Sequence, residues 1–159
     1  MKTNKILMTL LALFLLMGGA GCNRENPTGE IQIKDFSFLG CKEETTGFTK
    51  SAESPEYIEY EALAGGYLHL RHVNAVFNCC PGRIKADVSV EGNTISIVES
   101  ETDPQCKCIC DYDLAFNLGP LSNNKDYTLI FSRYKRELVR FTIKYSPSLE
   151  GKVDIKRFK

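Results

Sequence analysis

Six cysteines beyond the N-terminal region are the residues of this chain best suited to chemistry. They stand at Cys41, Cys79, Cys80, Cys106, Cys108 and Cys110. Thiols grouped in this way can form disulfides, bind a soft metal ion or take part in redox reactions. An even number of cysteines in an exported protein favours disulfides, and six cysteines allow three of them.

The geometry of an extended strand restricts how these cysteines can pair. Residues 106–118 read C-K-C-I-C-D-Y-D-L-A-F-N-L, so cysteines and large apolar residues occupy every second position. Side chains alternate across a strand, and this spacing predicts one long, half-buried strand with three sulfurs on its inner face. Neighbouring sulfurs on that face stand about 6.5–7 Å apart, which is long for a disulfide. Each is therefore expected to pair with one of the three upstream cysteines.

A metal site is the main alternative interpretation of the same residues. Its ligands would be thiolates from the two cysteine groups together with one imidazole, a donor set that suits zinc or copper(I). These residues are Cys79, Cys80, Cys106, Cys108, Cys110 and His72. The spacing lacks the C-x2-C knuckles of common zinc fingers. A redox role would favour a C-x-x-C pair at the start of a helix, and the sequence contains none.

Other polar groups offer weaker hypotheses. Asp111 and Asp113 share the polar face of the cysteine strand, near Glu101 and Asp103, and paired carboxylates can transfer protons or bind calcium. Solvated carboxylates on an outer sheet face are the simpler interpretation. The chain has no G-x-S-x-G, P-loop or H-E-x-x-H motif, so we predict that it is not an enzyme and needs no cofactor. An enzyme using the acidic loop before Cys106 is the least favoured hypothesis.

Two groups of side chains are candidate binding surfaces. A basic cluster near the C-terminus is interpreted as a solvated face, with contact to an anionic lipid or polysaccharide as the alternative. It comprises Lys135, Arg136, Arg140, Lys156, Arg157 and Lys159. Three tyrosines around a Gly-Gly turn, Tyr57, Tyr60 and Tyr67, form a candidate platform for a sugar, although packing within a sheet explains them more simply.

The elements that position these residues are predicted to be strands. Residues 84–90 alternate cleanly between apolar and polar side chains, a turn follows at 91–94, and residues 94–98 return as the second half of a hairpin. Apolar phase changes within 31–39 and near His72 predict irregularities in two further strands. Beyond residue 22 the sequence shows no helical period. Seven to nine short strands predict an all-β fold, an antiparallel β-sandwich cross-braced by disulfides.

One corner of this fold resembles a known family. A strand ending in Leu-x-x-Leu at 118–121 is followed by a polar turn and then Tyr-x-Leu-x-Phe at 127–131. This pattern resembles the E–F corner of immunoglobulin-like and fibronectin-type-III sandwiches, where a tyrosine hydroxyl bonds to backbone upstream. The resemblance implies an immunoglobulin-like sandwich, with Tyr127 as the structural tyrosine corner.

The N-terminus has the pattern of an export signal. Lys2 and Lys5 precede a continuous apolar run at 6–17, which is shorter than a membrane span. The sequence Gly18-Gly19-Ala20-Gly21-Cys22 then resembles the lipobox of bacterial lipoproteins. This resemblance implies cleavage after residue 21 and covalent lipidation of Cys22, which anchors the protein to a membrane. Asn23, where an Asp would retain the protein at the inner membrane, favours the outer membrane.

The predicted organisation therefore has three parts: a signal peptide at 1–21, a lipidated cysteine with a tether at 22–30, and one domain at 31–159. Basic and acidic residues are equal in number, at 20 each, which excludes the strongly basic composition typical of nucleic-acid binders. We expect a monomeric lipoprotein of the bacterial cell envelope. Its sandwich would act as a non-catalytic binding or structural module for another envelope component, a protein or a glycan. The alternative is a cysteine-rich envelope protein that binds metal.

Overall fold

The computed structural model describes residues 29–42 and 54–156, and the regular secondary structure of these segments is almost entirely β. Within them the chain forms nine strands and a single turn of 3-10 helix at Ala64–Gly66. The strands are β1 Gln32–Leu39, β2 Glu56–Leu63, β3 Tyr67–Asn78, β4 Arg83–Glu91, β5 Thr94–Thr102, β6 Ile109–Gly119, β7 Asp126–Arg133, β8 Arg136–Lys144 and β9 Glu150–Ile155.

The strands form two sheets that pack face to face. One sheet has five strands in the order β1-β6-β3-β2-β9, and the other has four in the order β4-β5-β7-β8. The predicted disulfide-braced β-sandwich is therefore confirmed. Neighbouring strands in the described segments are antiparallel except for β5 and β7, which run parallel. The parallel pair arises because β6 crosses to the other sheet between them, so that β7 returns in the direction of β5.

Alternation of apolar and polar residues fixes which face of each strand is buried. In β6, Tyr112, Leu114, Phe116 and Leu118 are all at most 2% exposed, whereas the residues between them are more accessible to solvent. The same period of two buries every second residue of β7. A strand with this pattern is stable only when its apolar face meets another sheet, and this requirement explains the sandwich.

Two bulges appear where the apolar pattern changes phase. The pairing of β1 with β6 shifts register between Lys34 and Ser37, and the pairing of β3 with β6 shifts between His72 and Ala75. Asn74 adopts a left-handed conformation with φ of 59°, which accommodates the extra residue. The bulge in β3 keeps both the residues before it and those after it on the buried face, as the sequence required.

The core is rich in aromatic rings. Phe116 contacts Phe36 on the neighbouring strand of its own sheet and Phe131 on the opposite sheet, with ring centroids 6.1 and 6.5 Å apart. Phe131 in turn stacks on Phe141, with centroids 6.2 Å apart. Burying one such side chain stabilises the fold by about 1.5–3 kcal/mol relative to leaving it exposed. A second, smaller apolar cluster lies towards the cysteines and includes Tyr112.

Tight turns close the hairpins. The predicted β4–β5 hairpin is present, with Gly92 at φ of 61° in its turn. In the β7–β8 hairpin, Tyr134 and Lys135 both have positive φ, 50° and 63°. Such a two-residue turn matches the twist of its strands but usually contains Asn or Gly. It places Arg133 directly opposite Arg136.

Candidate functional site

Three disulfides hold one end of the sandwich together. They join Cys41 to Cys110, Cys79 to Cys108 and Cys80 to Cys106, with Cα–Cα distances of 5.3, 5.5 and 5.4 Å. These distances lie within the usual range for disulfides. Each bond connects one cysteine of the C-x-C-x-C run to one upstream cysteine, in agreement with the pairing expected from strand geometry.

The predicted strand from residue 106 is shorter than expected. It begins at Ile109, and Cys108 is exposed rather than on an inner face. The reason is that β6 pairs with β3, and β3 ends at Asn78, the partner of Ile109. Beyond that point the opposing backbone enters a turn containing Pro81, which has no N–H to donate to a ladder. Cys110, within the strand, is half-buried as predicted.

The residues of the alternative metal site are not brought together as ligands. All five cysteines of that set are in disulfides, whereas His72 lies between the two sheets and bonds to carboxylates. In residues 29–42 and 54–156, no group of three or more His, Cys, Asp or Glu side chains is arranged to hold a metal ion.

Four charged side chains meet in the interior and link the two sheets. His72 on β3 bonds through Nδ1 to Glu99 on β5 at 2.8 Å and through Nε2 to Glu56 on β2 at 3.0 Å. Arg133, the last residue of β7, donates from Nη2 to the same Glu56 oxygen at 3.1 Å. All four are at most 7% exposed. We refer to these four residues as the buried quartet.

The contacts of His72 identify its protonation state. Ionised carboxylates only accept hydrogen bonds, and each imidazole nitrogen of His72 faces one. Both nitrogens must therefore donate, which makes the ring an imidazolium. Burial lowers the pKa of His72, but attraction to Glu99 and hydrogen bonds to Glu56 and Glu99 outweigh it and raise the pKa to about 9. The quartet thus contains two cations and two anions.

A cavity of about 190 Å³ adjoins the quartet. Glu56 and Arg133 form part of its wall, and Arg136 and Lys156 are also among its lining residues. A larger hollow of about 490 Å³ lies elsewhere, lined by residues that include His69 and Arg71. His69 bonds to the side chain of Asn117 at 2.8 Å there.

Sequence reasoning missed the quartet, although a signal was present. Glu99 follows Ile95 and Ile97 at a spacing of two, so it occupies the buried phase of β5. His72 occupies that phase in β3 after Leu70, and Arg133 does so in β7. A charged residue in the buried phase of a strand needs an internal partner. The sequence does not show which strands face one another, so the partners were not predictable.

Tyr127 lies where the immunoglobulin-like resemblance implies a tyrosine corner. Its hydroxyl accepts a hydrogen bond from the backbone N–H of Ser122, five residues upstream, at 2.8 Å. The ring is 2% exposed, and the Lys125 ammonium lies 5.2 Å from its centroid. This contact ties the connection between β6 and β7 to the start of β7.

The paired aspartates are not equivalent in the structure. Asp113 accepts hydrogen bonds from the Asn74 backbone at 3.1 Å and forms an ion pair with Lys42 at 2.6 Å. Partial burial raises the pKa of Asp113, but Lys42 and the Asn74 N–H outweigh that effect and lower the pKa below its usual value. Glu101, in the nearby acidic group, accepts hydrogen bonds from the Asn78 backbone and the Tyr134 hydroxyl. These contacts give Asp113 and Glu101 structural partners.

The three tyrosines of the candidate sugar platform are not brought onto one face, in agreement with the simpler interpretation of packing within the sheet. Tyr60 faces the interior and stacks on Phe141 with centroids 5.6 Å apart. The other two tyrosines contact different lysines. The Lys152 ammonium lies 3.7 Å from the ring centroid of Tyr57, and Lys34 donates a hydrogen bond to the Tyr67 hydroxyl. Because side chains alternate across a strand, Tyr57 and Tyr60 cannot share one face of β2.

The basic cluster is divided among different environments. Arg140 binds Glu137 through two hydrogen bonds of 3.2 and 2.7 Å, and Lys135 lies in the β7–β8 turn. Arg136 and Lys156 line the cavity beside the quartet. The last two residues of the cluster, Arg157 and Lys159, lie outside the described residues.

The predicted signal peptide, the lipidation site at Cys22 and most of the tether also lie outside the described residues. In the part of the chain that the structure describes, no helix is long and apolar enough to cross a membrane. Comparison of the chain with protein-family models, with curated proteins and with solved structures found no match.

Proposed function

We propose that this protein is a lipid-anchored component of the bacterial cell envelope. In this proposal its sandwich is a non-catalytic module that binds or supports another envelope component, a protein or a glycan. The observation that carries the proposal is the set of three disulfides, because such bonds form and persist in oxidising, extracytoplasmic compartments. The apolar run at 6–17 and the small residues before Cys22 supply the matching export and anchoring signals.

A binding or structural role is favoured by the way the buried charges are used. Each member of the quartet bonds to another member, and Asp113 is held by Lys42. Groups paired in this way stabilise an arrangement of strands. The disulfides brace the same fold, and a braced sandwich presents its faces and loops rigidly to a partner.

Lipidation is tested by expressing the full-length chain in a Gram-negative host fed an alkyne-tagged fatty acid. We expect the protein to carry the tag and to remain with the membrane pellet after washing with high salt. The Cys22→Ser variant should lose both properties, whereas the His69→Gln variant should keep them. An untagged wild-type protein recovered in the soluble fraction would contradict the anchor.

The binding role is tested separately, with the oxidised protein immobilised through an added C-terminal tag. Envelope extract is passed over it before and after reduction of the disulfides. We expect a defined protein or glycan to be retained only by the oxidised form. If the oxidised form retains no component of the extract, the protein is not a binding module, and a purely structural role is left.

A further inference from the structure

Among the edges of the two sheets in the described segments, the edge formed by β4 is the least protected. The edge strands are β1, β4, β8 and β9. β1 contains a bulge, the ladder of β8 with β7 shifts register, and β9 has only 6 residues. β4 has 9 residues, pairs with β5 without a register shift and contains no proline. Short or bulged edges resist pairing with another chain, whereas a long regular edge permits it, so β4 is the edge most open to a further strand.

Half of the backbone groups of β4 face away from β5. Glu91 and Thr94 flank the two-residue turn of the hairpin, so they form a hydrogen-bonded pair. Successive residues of an antiparallel strand direct their N–H and C=O groups to opposite sides. The residues at every second position before Glu91 bond to β5, and those between them direct these groups to the free edge, which no described strand adjoins. The residues facing the free edge are Ile84, Ala86, Val88 and Val90.

The same four residues have apolar side chains that the opposite sheet does not fully cover. They lie on the inner face of β4, and their exposure rises along the strand from 2% at Ile84 to 43% at Val90. Ala86 and Val88, between them, are half-buried against the core. An added strand with apolar residues on the same face would cover these side chains as well as bond to the backbone.

The charges on the outer face of β4 are complementary to those of a second β4. Arg83 and Lys85 lie near the start of the strand, Asp87 lies at its centre and Glu91 at its end. If two copies run antiparallel about a two-fold axis at Asp87, Arg83 of each copy lies opposite Glu91 of the other. Opposite charges in such positions attract each other. The two Asp87 carboxylates meet at the axis, and each has the Lys85 ammonium of its own chain 2.7 Å away.

We propose that this protein forms a symmetric dimer in which β4 pairs with β4 of a second copy. In this register Ile84 lies opposite Val90 and Ala86 opposite Val88, so apolar side chains meet apolar side chains. These pairs use all the backbone groups at the free edge, whereas moving the axis by one residue leaves one pair fewer and separates Arg83 from Glu91. A two-fold interface is closed, so the association stops at the dimer. The dimer is an alternative to the monomer expected from the sequence, and it does not depend on the lipid anchor.

Sedimentation velocity of the full-length protein in non-ionic detergent, over about a hundredfold range of concentration, tests the dimer. We expect a reversible monomer–dimer equilibrium. Arg83→Glu and Glu91→Arg each place like charges opposite one another at both ends of the interface, and each should weaken association by about tenfold or more. The two substitutions together restore opposite charges and should return association to within about threefold of wild type. Lys144→Glu, a charge reversal on β8 at the other edge of the same sheet, is the matched control and should associate as wild type.

Cross-linking in intact cells that express the full-length protein tests the register. Asp87→Cys brings two thiols to the axis, where the Cα atoms of a non-hydrogen-bonded pair lie about 4.5 Å apart, within the range of a disulfide. We expect a reducible dimer after mild oxidation with copper phenanthroline. In Lys85→Cys the two thiols would be separated by about 13 Å along the strands, so this variant should remain monomeric on the gel.

A wild-type protein that stays monomeric over the whole concentration range would overturn the proposal. A dimer that neither single charge reversal weakens would overturn it too, as would a double variant that associates no better than the single variants. Cross-linking of Lys85→Cys as efficient as that of Asp87→Cys would contradict the two-fold pairing about Asp87.

Discussion

Raising the pH from 6 to 9 is expected to destabilise this protein, because the folded state holds a proton on His72 that the unfolded state releases. His72 donates to Glu99 and Glu56 and has a raised pKa of about 9 in the fold. An unfolded histidine has a pKa near 6.5. The stabilisation from protonation is therefore fully present below about pH 6.5 and is lost as the pH rises through about 9.

The size of the effect follows from the difference between the two pKa values. Each pKa unit corresponds to about 1.4 kcal/mol, so the free energy of unfolding should fall by about 3 kcal/mol between pH 6 and pH 9. Solvent does not screen the charge interactions of His72, because its side chain is 0% exposed. Tyr112, Tyr134 and Tyr145 have raised pKa values, so their ionisation affects stability only at higher pH.

The assay is urea unfolding followed by far-UV circular dichroism at several pH values between 6 and 9. Protein carrying Cys22→Ser is used, so that this thiol neither titrates nor exchanges with the disulfides. Midpoints and slopes are compared at constant ionic strength, and a nuclear magnetic resonance titration of the imidazole follows the proton on His72 directly. In the folded state we expect His72 to stay protonated through pH 8.

The matched variants are His72→Gln and His69→Gln, which remove one histidine each from the same strand. His72→Gln should abolish most of the pH dependence and cost about 3–5 kcal/mol at pH 6, because the buried carboxylates lose their partner. His69, whose ring bonds to the neutral side chain of Asn117, serves as the control for loss of a histidine from the same strand. A wild-type stability that is flat or rises between pH 6 and 9, or an imidazole that titrates near 6.5, would refute the reasoning.

Three further predictions concern stability measured by the same unfolding assay. Replacing Cys41 and Cys110 together by serine should cost about 4 kcal/mol, because their bond closes a loop with a sequence separation of 69, and no change in the urea midpoint would count against that bond. Tyr127→Phe should cost about 1–2 kcal/mol because it leaves the Ser122 N–H without its acceptor. An unchanged urea midpoint would contradict a stabilising role for the tyrosine corner. Phe116→Ala should cost about 3–5 kcal/mol through the cavity it leaves in the core, and a loss below about 1 kcal/mol would contradict its central packing.

The sequence was sufficient for features that depend on neighbouring residues. Alternation over 84–98 predicts the β4–β5 hairpin, and the flat geometry of C-x-C-x-C excludes bonds within the run. The sequence was insufficient where a strand far away in the chain determines where another strand begins or how it pairs. The start of β6 depends on where β3 ends, and the parallel pairing of β5 with β7 depends on the path of β6 through the other sheet.

The quartet is the clearest case of this limit. Glu56 and Glu99 lie in different sheets and are bridged by His72, while Arg133 from the second sheet also bonds to Glu56. Each residue by itself occupies the buried phase of its strand, which indicates a partner but does not identify one. Identifying it requires the packing of one sheet on the other, and local periodicity carries no information about that packing.

The quartet also explains how one arrangement of the two sheets is selected over others. Apolar faces tolerate small shifts because an apolar side chain can pack against many different apolar partners. Charged groups in the interior are costly unless each is paired with an opposite charge. A slip of one residue in β3 would turn His72 to the other face and remove the imidazolium that bridges Glu56 and Glu99. The bulge between His72 and Ala75 prevents a uniform slip, since residues on its two sides follow different phases. We therefore infer that the quartet contributes to the register of the sandwich as well as to its stability.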